Sequence, residues 1–117
     1  MNSNIVLISR LLHSSTQAHI YHFRTNSYAQ HKAFEGYYTE IVGLIDSYTE
    51  AYQGSYGILS GYKSYEYSQN PETAIKYFND LLSIIKNTKV LDGFLKNILD
   101  TIYALVYKTL YLLKNFK

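Results

Sequence analysis

Cysteine is absent from the 117 residues, so neither a disulfide nor a thiolate metal site is available. Any metal must then be held by His, Asp, Glu or water, a donor set that suits iron, manganese or zinc. One proline and six glycines leave few helix breakers, which favours long helices over short strands joined by tight turns. No apolar run reaches the roughly 20 residues that a bilayer span requires; the longest, from Ile102 to Leu113, is broken by Tyr, Lys and Thr. No membrane partner is expected. Arg10 interrupts the apolar stretch from Ile5 to Leu12 and no small-residue cleavage site follows, so a signal peptide is not expected and the location is read as cytoplasmic. A formal charge of +2 without a Lys/Arg cluster gives DNA binding no support. Nucleophile-elbow and phosphate-loop motifs are missing, as is the Glu-x-x-His motif of an intra-bundle di-iron site.

What is present fits a single domain over residues 1–117, because apolar residues make up 47% and charged residues only 17%. Ile5, Ile8, Leu11, Leu12 and Ile20 recur at helical spacing and predict a helix A from Asn4 to about Arg24, capped by Ser3 or Asn4. Thr25, Asn26 and Ser27 form a short polar turn, after which helix B runs from about Tyr28 to Gln53. Its stripe is Phe34, Tyr37, Tyr38, Ile41, Val42, Leu44, Ile45 and Tyr48. Gly54, Gly57 and Gly61 punctuate an aperiodic, Tyr- and Ser-rich stretch to Asn70 that reads as a long crossover loop. Asn70-Pro71-Glu72 is a strong start for helix C, and a renewed stripe from about Val90 to Phe116 gives helix D. Four helices with one long B–C connection predict an all-α, ferritin-like four-helix bundle.

All four histidines, His13, His19, His22 and His31, lie in the first 31 residues, while helix B carries Glu35, Glu40, Asp46 and Glu50. At about 100° per residue, Glu35, Asp46 and Glu50 lie roughly 40°, 60° and 100° round the helix from His31, on one face. Asp46 is nevertheless about 22 Å further along the axis than His31, so one chain cannot gather all four on one metal. The spacing itself suggests a solution. His31 and Glu50, and likewise Glu35 and Asp46, are centred on the same point between Glu40 and Ile41. Antiparallel pairing of two B helices about a two-fold axis there would set His31 opposite the partner's Glu50 and Glu35 opposite the partner's Asp46, making two equivalent sites. His22, beside the turn between helices A and B, adds a nitrogen near the same site.

The segment Tyr21-His22-Phe23, followed by His31 with Glu35 and then Asp46 and Glu50, resembles the ferroxidase signature of the Dps (DNA-binding protein from starved cells) mini-ferritins. Small bacteriophage-encoded Dps-like proteins are a further likeness. The resemblance covers about residues 10 to 54. It implies iron held between two-fold-related subunits, with His22, His31 and Glu35 from one chain and Asp46 and Glu50 from the other. Phe23 stands in the family's Trp place, and Glu35 replaces its Asp. His22 precedes His31 by nine residues, less than the family's usual gap, whereas His19 precedes it by twelve and is a rival ligand. No Lys-rich tail is present, and the crossover has no obvious short helix.

The resulting expectation is a homo-oligomer, at least a two-fold dimer through helix B and in the family a larger shell, that oxidises Fe(II) and so limits oxidative stress. As an enzyme it would be a ferroxidase. The competing expectation is a non-catalytic helical assembly, or a phage virion-associated protein, on the same scaffold.

Overall fold

A computed structural model describes residues 2–117 and contains, among those residues, four α-helices and no strand. Helix α1 spans Ser3–Arg24, α2 Tyr28–Tyr56, α3 Ala74–Asn87 and α4 Gly93–Asn115, with a single 3-10 turn, Pro71–Thr73, leading into α3. None of the described helices is long and apolar enough to cross a membrane.

Local chemistry sets the ends of these helices. Asn2, one residue earlier than Ser3 or Asn4, caps α1 by accepting from Asn4 N at 2.9 Å. The Thr25 N–H closes the other end on Tyr21 O, and Ser27 Oγ then caps α2 by accepting from Gln30 N. A turn of three residues leaves α1 and α2 no choice but to pack antiparallel. Asn70 Oδ1 accepts from Glu72 N and Pro71 occupies the first turn, the start expected from the sequence, although that turn is 3-10. Helix α4 begins at Gly93 rather than near Val90, because Asp92 carries the cap position and its side chain is taken by the Tyr56 hydroxyl.

Helix α1 neighbours α2 and α3, and both of those partners also flank or approach α4, so the four helices close a ring around one core. Phe34, Tyr37, Ile41, Ile45 and Tyr48 of α2 bury against Leu7, Ile8 and Leu11 of α1, while Phe78, Leu81 and Ile85 of α3 and Ile102 and Val106 of α4 complete it. Val42, which belongs to the apolar stripe, lies at the helix edge and is exposed. The stripe of α2 is wider than the two neighbours that cover it.

Polar groups inside the bundle concentrate on α1. The three fully buried tyrosines all find partners: Tyr21 on Thr73 Oγ1 at 2.8 Å, Tyr37 on Ser14 Oγ at 2.7 Å and Tyr48 on Asn4 Oδ1 at 2.5 Å. Ser14 donates its own proton to Leu11 O, so Tyr37 is the donor in their pair. Burial pushes the Tyr37 phenol far up and that of Tyr48 up to about 12.

The connection from 57 to 70 has no helix and lies along α1 in the same direction. Its backbone is held by α1 side chains one helical turn apart. Ser9 Oγ accepts from Lys63 N, His13 Nε2 pairs with Glu66 O, and the Gln17 amide makes two bonds to Ser68, through Nε2 to its carbonyl at 2.9 Å and through Oε1 from its N–H at 2.7 Å. An aperiodic loop has no ladder of its own, so α1 supplies the missing partners.

Candidate metal centre

The tight α1–α2 turn makes residues at similar distances from it face each other, and it brings His22 against His31. Their rings stack with centroids 3.6 Å apart and planes 19° from parallel. Each ring is pinned to the other residue's backbone: His22 Nδ1 lies 2.9 Å from His31 O, and His31 Nδ1 lies 2.9 Å from His22 O. A carbonyl oxygen only accepts, so both Nδ1 atoms carry the proton and donate it. In the neutral imidazoles Nε2 is then the atom with the free lone pair, in rings whose orientation is fixed. A backbone carbonyl on the far nitrogen is the usual way a ligating imidazole is oriented and made more basic.

Glu35, one turn after His31, completes the group. One ligand atom from each of His22, His31 and Glu35 falls within 4.8 Å of the others. Three donors about 2.1 Å from one ion lie roughly 3.4–3.6 Å apart, so closing a set spread over 4.8 Å draws each atom inward by up to about 0.7 Å. His22 is buried, and His31 and Glu35 are half-buried. Lys32 stands 3.5 Å from the Glu35 carboxylate in an exposed pair of little strength, which a cation would displace. Two imidazoles and one carboxylate with open positions form the donor set of non-haem Fe(II) sites. The residues present thus fit a transition metal.

His19, the rival first-helix ligand, is placed elsewhere. Its ring is stacked on Tyr38 at 4.0 Å and on Phe23 at 4.7 Å. Together with Tyr28, which is near His31, these rings form an aromatic collar beside the His22–His31 pair. Asp46 and Glu50 are exposed further along α2 and line a shallow cleft of about 220 Å³ with Leu12, Thr49 and Tyr62. They do not meet the histidines of their own chain. Glu40, near the midpoint of the symmetric spacing, points to solvent.

His13 is a histidine of another kind. Its Nε2 must donate to Glu66 O, which leaves Nδ1 to accept from the Tyr77 hydroxyl at 2.7 Å. Tyr67 covers one ring face at 4.4 Å. Burial, and secondarily the charge of Arg10, lowers its pKa despite the Glu66 bond. Sequence reasoning missed the reciprocal His22–His31 carbonyl bonds. Their only trace is that the two histidines flank the turn almost evenly.

Comparison with known proteins gives a family without an activity. The model of a family described as "Family of unknown function (DUF5856)" matches residues 22–113, and the chain belongs to that family. The chain is 30% identical over 104 residues to an uncharacterized 14.6 kDa protein in the mobD-ri intergenic region of Enterobacteria phage T4, covering 88% of this chain and 81% of that protein. No solved structure matches.

Proposed function

We propose that this member of the family is a Dps-like mini-ferritin that takes Fe(II) as its substrate and oxidises it at sites shared by two-fold-related copies. The observation that carries the reading is the tautomer lock. Two stacked imidazoles, each held through Nδ1 on a carbonyl, lie with Glu35 in one group of potential ligands, which supports a metal-binding reading. Two antiparallel hairpins joined by a crossover that runs the length of α1 support the ferritin-like assignment.

Iron bound by His22, His31 and Glu35 has open positions for an oxidant. Asp46 and Glu50 of a second copy, brought in by the symmetric spacing about Glu40 and Ile41, would add the negative charge that favours Fe(III) over Fe(II). Zinc or manganese would occupy the same donors without turnover by this route. Exposed Leu12, Phe23 and Val42 on the α1–α2 face provide apolar area for the two copies to cover.

Anaerobic Fe(II) titration followed by addition of peroxide or oxygen tests the reading. Expected is saturable Fe(II) binding and fast oxidation in the wild type, both lost in His31→Ala. Protein that dimerises but binds no Fe(II) would favour the non-catalytic helical assembly instead.

A further inference from the structure

The lysines of this chain are unevenly placed. Residues 83–117 hold Lys86, Lys89, Lys96, Lys108, Lys114 and Lys117 against Asp92 and Asp100, a balance of +4, which leaves the preceding part at −2 within the total of +2. The two ion pairs among the described residues are Lys32–Glu35 and Lys76–Asp80, so none of these six lysines is neutralised by a carboxylate.

Aromatic rings share the same surface. Tyr103, Tyr107 and Tyr111 recur every four residues and so fall within about 80° of one another on the outer side of α4, with Lys96 and Lys114 in the same stripe. Asp100 is the single acidic residue in that stripe. Tyr107 and Tyr111 are 48% and 56% exposed, far more than a core role requires. The Tyr103 and Tyr107 rings are 17° from parallel with centroids 6.4 Å apart, about twice the ~3.4 Å rise between stacked bases. Lys86 of α3 stands 6.0 Å from the Tyr107 ring centre.

From this juxtaposition of an unpaired lysine set and a ladder of exposed tyrosines, we propose that the outer face of α4, flanked by α3, binds single-stranded nucleic acid. Phosphates supply the counter-charge for Lys86, Lys96 and Lys114, and bases, which every single strand presents unpaired, supply the planar groups that fit the tyrosine faces. A duplex hides its bases in the stack and leaves only the lysines to hold it, so it binds less well. The inference does not depend on the proposed metal centre, which lies on the α1–α2 face.

Fluorescence anisotropy with labelled oligothymidylate, oligouridylate and a duplex, each about 20 nucleotides long, tests it at about 20 mM and about 150 mM salt. Expected is binding of single strands at low salt, at least about fivefold weaker binding of duplex, and a further loss of roughly tenfold for Tyr107→Ala. The DNA and RNA strands distinguish which nucleic acid is preferred. Lys86→Gln with Lys114→Gln should lower the salt slope by about 2, while Tyr62→Ala, exposed on the connection that runs along α1, should change nothing. Tyr111→Ala provides the same readout if Tyr107→Ala fails to fold by circular dichroism. No single-strand binding at low salt, or equal affinity for duplex that both tyrosine variants leave intact, would overturn the proposal. So would sedimentation showing that Tyr107→Ala dissociates an oligomer, because a second copy would then be what covers the stripe.

Discussion

Near the middle of α1, His13 spends both ring nitrogens on the protein: Nε2 donates to the Glu66 carbonyl and Nδ1 accepts from Tyr77. At the C-terminal end of the same helix, His22 spends one, and so does His31 across the turn. Both settings tie imidazole to backbone carbonyls, and both are packed against aromatic rings. What separates them is the remaining lone pair. The first arrangement is saturated and holds the 57–70 connection in place, whereas the second leaves Nε2 uncommitted on each of two stacked rings, with Glu35 close by. Burial and aromatic company therefore do not separate the two kinds of histidine; the balance of their hydrogen bonds does.

The largest expected effect lies at the unsaturated end. His31→Ala or His22→Ala should weaken Fe(II) or Zn(II) binding by at least about a hundredfold in isothermal titration, while His13→Ala should leave metal affinity unchanged. If His13→Ala weakened binding as much, the separation of the two settings would be wrong.

At the saturated end the expected cost is in stability. Gln17→Ala removes two hydrogen bonds and strands the N–H and carbonyl of Ser68, an expected loss of about 2–3 kcal/mol in urea denaturation with metal affinity intact. Tyr48→Phe strands only Asn4 Oδ1 and should cost about 1–2 kcal/mol.

Two pH dependences sharpen the same contrast more gently. The Tyr48 phenol is raised from about 10 in the unfolded chain to about 12 in the fold, so its stabilising contribution is complete below about pH 10 and is lost as pH climbs through 12. Alkaline unfolding should begin in that window, and later in Tyr48→Phe. His13 has the opposite sign. Its folded pKa is depressed, so the unfolded chain takes up a proton first, and the contribution present above about 6.5 is lost as pH falls through the lowered value. Denaturation midpoints between about pH 7 and pH 5 should fall in the wild type and respond less in His13→Ala.

Much of the fold was legible in the sequence, because apolar periodicity and polar punctuation are local. The three-residue turn and the Asn70-Pro71 start stand where composition puts them, whereas α2 runs through Gly54 to Tyr56, three residues past the expected end, before the aperiodic connection begins. The docking of that crossover was not legible. Ser9, His13 and Gln17 look like interruptions of an apolar stripe until a loop distant in sequence runs over them. For the candidate centre, residue types and the face of α2 could be read from spacing, but that His22 rather than His19 sits beside His31 could not. It depends on the turn angle that sets His22 on His31 and leaves His19 stacked on Tyr38. The symmetric spacing about Glu40 and Ile41 is what the sequence offers for the proposed interface between chains.

That symmetry is tested most directly by mixing two inactive variants. His31→Ala and Asp46→Ala should each abolish Fe(II) oxidation as homo-oligomers, since each spoils every shared site. A mixed dimer carries one site with both lesions and one with neither. Refolding equal amounts together should therefore return roughly a quarter of wild-type activity, because about half the dimers are mixed and each has one intact site of two. Verified mixed dimers with no recovery would contradict a site built from two chains.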